Sequence, residues 1–180
     1  VQKAMVVCSK REIAYKLLKI FEAKYPEWFV EKKTPDGVPV SEEDLRKLKP
    51  MPFMAMVASV GSNDPAEMYN YLGGVNNSKR TDDFDAAFKQ EKSNFRIVIV
   101  VDMWITGFDV EPLTYLYNDK PLQKHTLIQT ISRVNRKYPG KDYGMIVDYI
   151  GIRDNMREAM KMYGGTDKKE SINNSHNTIC

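Results

Sequence analysis

The sequence predicts an α/β domain, with a mostly parallel sheet covered by helices on both faces. Two patterns carry this expectation. Apolar runs of strand length alternate along the chain with segments of helical periodicity, and those runs are apolar at consecutive positions. A strand without polar alternation is buried on both faces, which happens mainly in parallel sheets sandwiched by helices. The 180 residues, 42% of them apolar and 28% charged, suit one globular domain and exclude collagen, coiled coil and bulk disorder.

The first predicted strand is Ala4-Met5-Val6-Val7-Cys8. Ser9 to Glu12 then has the spacing of a capping box before the helical line Ile13, Leu17, Ile20 and Phe21, which Pro26 stops. Residues 32–52 turn to Pro, Lys, Glu and Asp, and read as an insertion holding one brief helix capped by Ser41. Residues 55–60 form a second strand. Asn63-Asp64-Pro65-Ala66-Glu67 then opens a short helix that Gly73-Gly74 ends. Thr81 is positioned to cap another helix, in which Phe84, Ala87 and Phe88 recur at helical spacing, closing near Gln90.

Residues 96–101 make the clearest strand, and 115–117 a weaker one. A helix over 124–135, a strand over 143–149 and a helix over 153–163 complete the domain, assigned to residues 1–163. Residues 164–180 lack periodicity and are expected to be a disordered tail.

No apolar run approaches the roughly 18–20 residues of a membrane span, so no membrane partner is expected. The chain opens without methionine and without the layout of a secretion signal, and reads as a piece of a longer polypeptide. A formal charge of +3 leaves the partner open. The two cysteines suggest no disulfide framework, and no Cys/His cluster has zinc spacing. The expectation is a reducing cytoplasm, Cys8 in a strand and no metal site in the chain.

In doubly wound sheets ligands sit beyond the carboxyl ends of the strands. That singles out Ser9-Lys10-Arg11, the loop from Asp102 to Asp109, and the segment entering the helix with Gln129, Arg133 and Arg136. At about 100° per residue, Gln129, Arg133 and Arg136 share an arc of roughly 60° opposite Leu127, Ile131 and Val134. Paired guanidiniums on one helix face suit neighbouring phosphate oxygens, although an ordinary solvated face has the same spacing. Thr106, Gly107 and Asp109 join a hydroxyl, a side-chain-free position and a carboxylate in one turn, which fits phosphate and sugar contacts or a plain Asx-type turn. Gly73 to Arg80 is not a phosphate-binding loop, because Ser78 and Arg80 replace its required glycine and hydroxyl residue. Asp102 and Asp148 at strand ends leave open a self-contained phosphoryl-transfer domain, and Lys10-Arg11 a non-catalytic binding module.

Gln129-Thr130-Ile131-Ser132-Arg133-Val134-Asn135-Arg136 resembles motif VI of superfamily 2 helicases, Q-x-x-G-R-x-x-R, with Ser132 for the usual glycine. Val101-Asp102-Met103-Trp104-Ile105-Thr106-Gly107-Phe108-Asp109 resembles motif V as type I restriction R subunits write it. Tyr117-Asn118-Asp119-Lys120-Pro121-Leu122 and Ile146-Val147-Asp148-Tyr149-Ile150-Gly151 add to the likeness, which spans residues 3–160 and weakens over 32–55. The chain therefore resembles the second RecA-like motor domain of a superfamily 2 helicase or translocase, most closely that of the R subunit of type I restriction-modification enzymes.

The resemblance implies a three-layer RecA-like fold, of the P-loop NTPase type but without the P-loop. It implies ATP as cofactor, with Mg2+ held mainly by the first motor domain. Arg136 is implied as an arginine finger, Arg133 as a second γ-phosphate or interdomain contact, and Gln129 as an orienting group. Gly107 and Asp109 would approach the nucleotide, while Thr106, Ser9 and Lys10 would touch the DNA backbone. Implied partners are double-stranded DNA, the first motor domain of the same chain, and methyltransferase (M) and specificity (S) subunits.

Overall fold

The computed structural model describes residues 2–104, 110–122, 124–141, 143–151, 157 and 178–179. Five strands lie parallel: β1 (Lys3–Cys8), β2 (Met54–Val57), β3 (Ile97–Val100), β4 (Leu113–Asp119) and β5 (Met145–Asp148). The two-residue β6 (Thr178–Ile179) adds antiparallel to β5, giving the order β2-β3-β1-β4-β5-β6. The helices are α1 (Arg11–Lys24), α2 (Glu42–Lys47), α3 (Ala66–Tyr71), α4 (Asn77–Lys89) and α5 (Lys124–Val134).

Alternate residues of each central strand feed two cores, as the two-residue period of a pleated strand requires. Met5, Val7, Ala55, Val57, Val98, Val100 and Leu116 pack with Ala87 and Phe88 of α4 and with Ile131 and Val134 of α5. Cys8, Met54, Met56 and Ile99 pack on the other face with Ala14 and Leu18 of α1 and with Met68 of α3. Helices on both faces make three layers, as the uninterrupted apolar strands predict.

Local differences from the sequence reading have identifiable causes. Helix α4 begins at Asn77, and Thr81 lies inside it with a buried hydroxyl that lacks a partner among the described residues. Gly73 and Gly74, at φ +93 and +50, turn the chain so sharply that a short 3-10 turn leads straight into the helix. Asn77 then fixes the junction by donating through Nδ2 to the carbonyls of Ala58 (2.9 Å) and Leu72 (2.8 Å). Asp64 does not cap α3. Its carboxylate accepts instead from the Gly61 amide at 2.6 Å and from Arg11 at 2.9 and 3.0 Å.

Strand β4, the weak candidate, runs seven residues between β1 and β5. Buried Thr114 and Asn118 broke its apolar run in the sequence; they donate to the carbonyls of Pro112 (3.3 Å) and Lys120 (2.7 Å). Ser41 caps α2 as expected, its hydroxyl accepting from the Asp44 amide at 3.1 Å. The segment carrying α2 folds back on itself, with Lys32 and Met51 bridged antiparallel. The predicted helix over 153–163 lies outside the described residues except for the helical residue Arg157, as does most of the predicted tail.

Candidate nucleotide- and DNA-facing edges

In a parallel sheet every strand presents its carboxyl end at one edge and its amino end at the other. Ser9 and Lys10 follow β1 at the carboxyl edge, Ser9 half-buried and Lys10 exposed at the start of α1, where the Lys10 carbonyl accepts from the Ala14 amide at 3.1 Å. The Arg11–Asp64 pair ties this turn to the loop after β2, with the Asp64 side chain only 2% exposed. A buried, fully engaged carboxylate of this kind fixes geometry more than it adds stability.

Helix α5 leaves the carboxyl end of β4 and must return to the amino end of β5, so it runs back across the sheet. Ile131 packs on the core and Val134 is fully buried, while Gln129 is exposed, as the helical arithmetic predicts. The Arg133 backbone lies in α5; its side chain is outside the described atoms. Arg136, two residues beyond the helix, is exposed. It therefore stands at the amino edge, opposite Ser9 and Lys10, while the segment entering α5 starts at the carboxyl edge.

Thr106, Gly107 and Asp109 lie outside the described residues. Their flanks are pinned. On one side Asp102 (φ 59) pairs with Lys120, and Trp104 (φ 61) stacks on Phe88 with centroids 6.0 Å apart. On the other, Val110 is buried in the core and its carbonyl accepts from the Leu113 amide at 3.2 Å. The connection therefore starts at the carboxyl end of β3 and finishes at the amino end of β4, the same edge as Arg136.

That amino edge concentrates charge. Lys3, 1% exposed, donates to the α4 carbonyls of Ala87 (3.1 Å) and Phe88 (2.6 Å) and to Gln90 (2.8 Å), where the negative end of the helix dipole favours a cation. Burial, then the neighbouring Arg96, lowers its pKa to about 6, against the three carbonyls that favour the ammonium. Arg96 donates to the Glu91 carbonyl at 2.6 Å, and burial brings its pKa down to about 10. The Tyr138 phenol is pushed up to about 12 by burial and by its hydrogen bond to Glu91. Lys141 donates to the Leu113 carbonyl at 2.6 Å and lies 3.5 Å from that of Glu111; its pKa is lowered by burial and then by Arg136. Sequence reasoning missed Lys141, Tyr138 and Glu91, because isolated charged residues in a loop have no periodic signature.

Gly73 to Arg80 is engaged in packing. Arg80 lies over the rings of Tyr71 (4.9 Å) and Phe84 (4.4 Å) and donates to the Met56 carbonyl at 3.1 Å. Asp148 is buried and accepts from the Ile150 amide at 3.2 Å, so it and Lys120-paired Asp102 are both engaged.

The family model described as type I restriction enzyme subunit R domain 3 matches residues 55–151, a span that holds α5 and both flanks of the Thr106–Asp109 turn. The chain belongs to the type I restriction enzyme R-subunit family. The putative type I restriction enzyme MjaIXP endonuclease subunit of Methanocaldococcus jannaschii is 35% identical over 169 residues, which cover 93% of this chain and 14% of that protein. The HindI endonuclease subunit of Haemophilus influenzae is 31% identical over 173 residues, 94% of this chain and 15% of that protein. This R-subunit chain thus spans about one seventh of the length of either relative. A solved ATP-dependent Type ISP restriction-modification enzyme, LlaBIII bound to DNA, aligns with 82% of this chain and 12% of its own at 14% identity and a TM-score of 0.34, a likeness too slight to argue from. No helix among the described residues is long and apolar enough to cross a membrane.

Proposed function

We propose that this chain is the second motor domain of an ATP-dependent DNA translocase, within the R subunit of a cytoplasmic type I restriction-modification enzyme working with M and S subunits. The observation that carries the proposal is α5 in an R-subunit chain. Its Gln-x-x-Ser-Arg-x-x-Arg sequence keeps Ile131 and Val134 in the core and leaves Gln129 exposed on the helix and Arg136 exposed two residues beyond it.

These residues fit a triphosphate as partners, not as its cradle. Arginine carries a planar fork of donors that matches phosphate oxygens, and Arg136 is exposed two residues beyond α5. Gly73 to Arg80 is consumed by packing, so the phosphate loop and Mg2+ site belong to another domain, read as the first motor domain of the same protein. When bound there, ATP supplies the phosphoryl transfer that drives motion. Arg136 would neutralise charge on the transferred group, Arg133 would add a phosphate or interdomain contact, and Gln129 would orient. By the same reading Gly107 and Asp109 would approach the nucleotide, and Thr106, Ser9 and Lys10 would touch the DNA backbone through sequence-independent phosphate contacts.

The test is Arg136→Ala in a full-length R subunit carrying this sequence. DNA-stimulated ATP hydrolysis should fall by roughly 10³-fold or more while ATP binding persists, the scale typical of such an arginine. Turnover at the wild-type rate removes the assignment. The 180-residue chain alone should hydrolyse ATP negligibly with or without DNA, and motor-like turnover by it would contradict the two-domain reading.

A further inference from the structure

We propose that Lys141 is a positioning residue for Arg136, tying the turn after α5 to the backbone that follows the Gly107–Asp109 segment. The inference rests on the motor-domain reading and names a residue to which that reading gives no role.

The turn carrying Arg136 is held at three places. At its start the Asn135 amide donates to the Ile131 carbonyl at 3.0 Å, extending the helical hydrogen bonding one residue past α5. In its middle Tyr138 and Lys141 form an antiparallel bridge, with the Lys141 amide 2.9 Å from the Tyr138 carbonyl and Gly140 at φ +76 closing the reversal. At its end Gly144 lies so close to Val134 that a Cβ there would meet the Val134 carbonyl oxygen at 2.1 Å. These contacts fix the shape of the turn, and a further one reaches across to β4.

That contact is the Lys141 side chain. It is 7% exposed for the whole residue, and its ammonium donates to the Leu113 carbonyl at 2.6 Å with the Glu111 carbonyl at 3.5 Å. Leu113 and Glu111 stand four and two positions after Asp109. Burying an ammonium is unfavourable and its partners here are neutral carbonyls, so the arrangement is a poor way to gain stability. The proximity of Arg136, which depresses the lysine further, makes it poorer still. What the lysine supplies is a fixed distance: the turn carrying Arg136 is held in register with the start of β4 at the amino edge. An error of about 1 Å in the placement of a reacting group costs on the order of 100-fold in rate.

The experiment is a double-mutant cycle of Lys141→Met and Arg136→Ala in the full-length R subunit, reading kcat and KM for ATP in DNA-stimulated hydrolysis together with the melting temperature. Methionine keeps the apolar stem and removes the donor. The expected result is a fall in kcat of about 10- to 100-fold for Lys141→Met. KM should stay within about threefold, and no further loss should appear when the change is added to Arg136→Ala. A lysine that merely braces the fold would lower the melting temperature with kcat preserved, or add its full effect in the Arg136→Ala background; either outcome overturns the inference. Wild-type turnover in Arg136→Ala overturns the motor-domain assignment itself, a distinct failure. Should the methionine variant not fold, Lys141→Gln, whose amide stops one bond short of the Leu113 carbonyl, decides: a loss absent from the Arg136→Ala background supports the tether, and wild-type kcat or a loss that persists in that background overturns it.

Discussion

Replacing Gly144 with alanine perturbs the junction on which the candidate arginines depend. A Cβ built on Gly144 falls 2.1 Å from the Val134 carbonyl oxygen, 2.5 Å from its carbonyl carbon and 2.5 Å from its Cγ1. Ordinary contact begins near 3.4 Å, so the methyl is more than 1 Å too close to backbone that cannot rotate aside. Either the end of α5 lifts from the sheet or the start of β5 moves. Val134 is fully buried and Ile131 packs on the same core, so a lift opens space beneath two apolar side chains. Inserting a methyl under such constraint costs about 2–3 kcal/mol, at the upper end of overpacking effects. For a chain of this size that corresponds to a melting temperature lower by roughly 5–10 °C. Urea and thermal unfolding of the 180-residue chain, followed by circular dichroism, read both quantities. A change below about 0.5 kcal/mol would mean that α5 does not approach β5 as described, and the placement of Arg136 at the amino edge would fall with it.

Two further expectations concern the sheet away from that edge. Tyr71→Phe removes the hydroxyl that accepts from the Met56 amide at 3.1 Å on the outer strand β2, and should cost about 1–3 kcal/mol with faster hydrogen exchange at Met56; unchanged exchange there would refute the contact. Cys8 is 1% exposed, and burial with nearby Asp119 raises its thiol pKa to about 11, so native protein at pH 8 should leave Cys8 unmodified by iodoacetamide. The unfolded thiol ionises from about pH 9 while the folded one stays protonated, so the contribution of Cys8 to stability should decline between about pH 9 and 11. Cys8→Ala should flatten that decline, and an identical pH profile would refute it.

The parts of the fold legible in the sequence are those specified by local pattern. Residues 97–101 and 4–8 are apolar at every position, as a strand buried on both faces requires, so β3 and β1 follow directly. The face of α5 is equally legible, since Ile131 and Val134 recur at helical spacing opposite Gln129. Where tertiary contacts outweigh local preference the pattern fails. Strand β4 takes its full length from pairing with β1 on one side and β5 on the other, and its buried Asn118 is accommodated only because the Lys120 carbonyl comes within reach. Thr81 looks like a cap because nothing local reveals that Asn77 is anchored on Ala58, nineteen residues earlier.

The placement of the candidate site shows the same division more sharply. Sequence spacing identifies Gln129, Arg133 and Arg136 as one face, but it carries no information on which way α5 runs across the sheet. That direction follows from the parallel pairing of β4 with β5, which obliges the connecting helix to travel from the carboxyl edge back to the amino edge. Ser9 and Lys10 consequently stand about one strand length from Arg136, on the order of 20 Å for a six-residue strand. A connection that leaves β3 beside the Asp102–Lys120 pair and enters β4 beside Lys141 must cross that whole distance, with both flanks fixed by side chains. The chain between β3 and β4 is thus held at the carboxyl edge by the Asp102–Lys120 pair and at the amino edge by Lys141, so a change at either pair is felt by the strand that follows it.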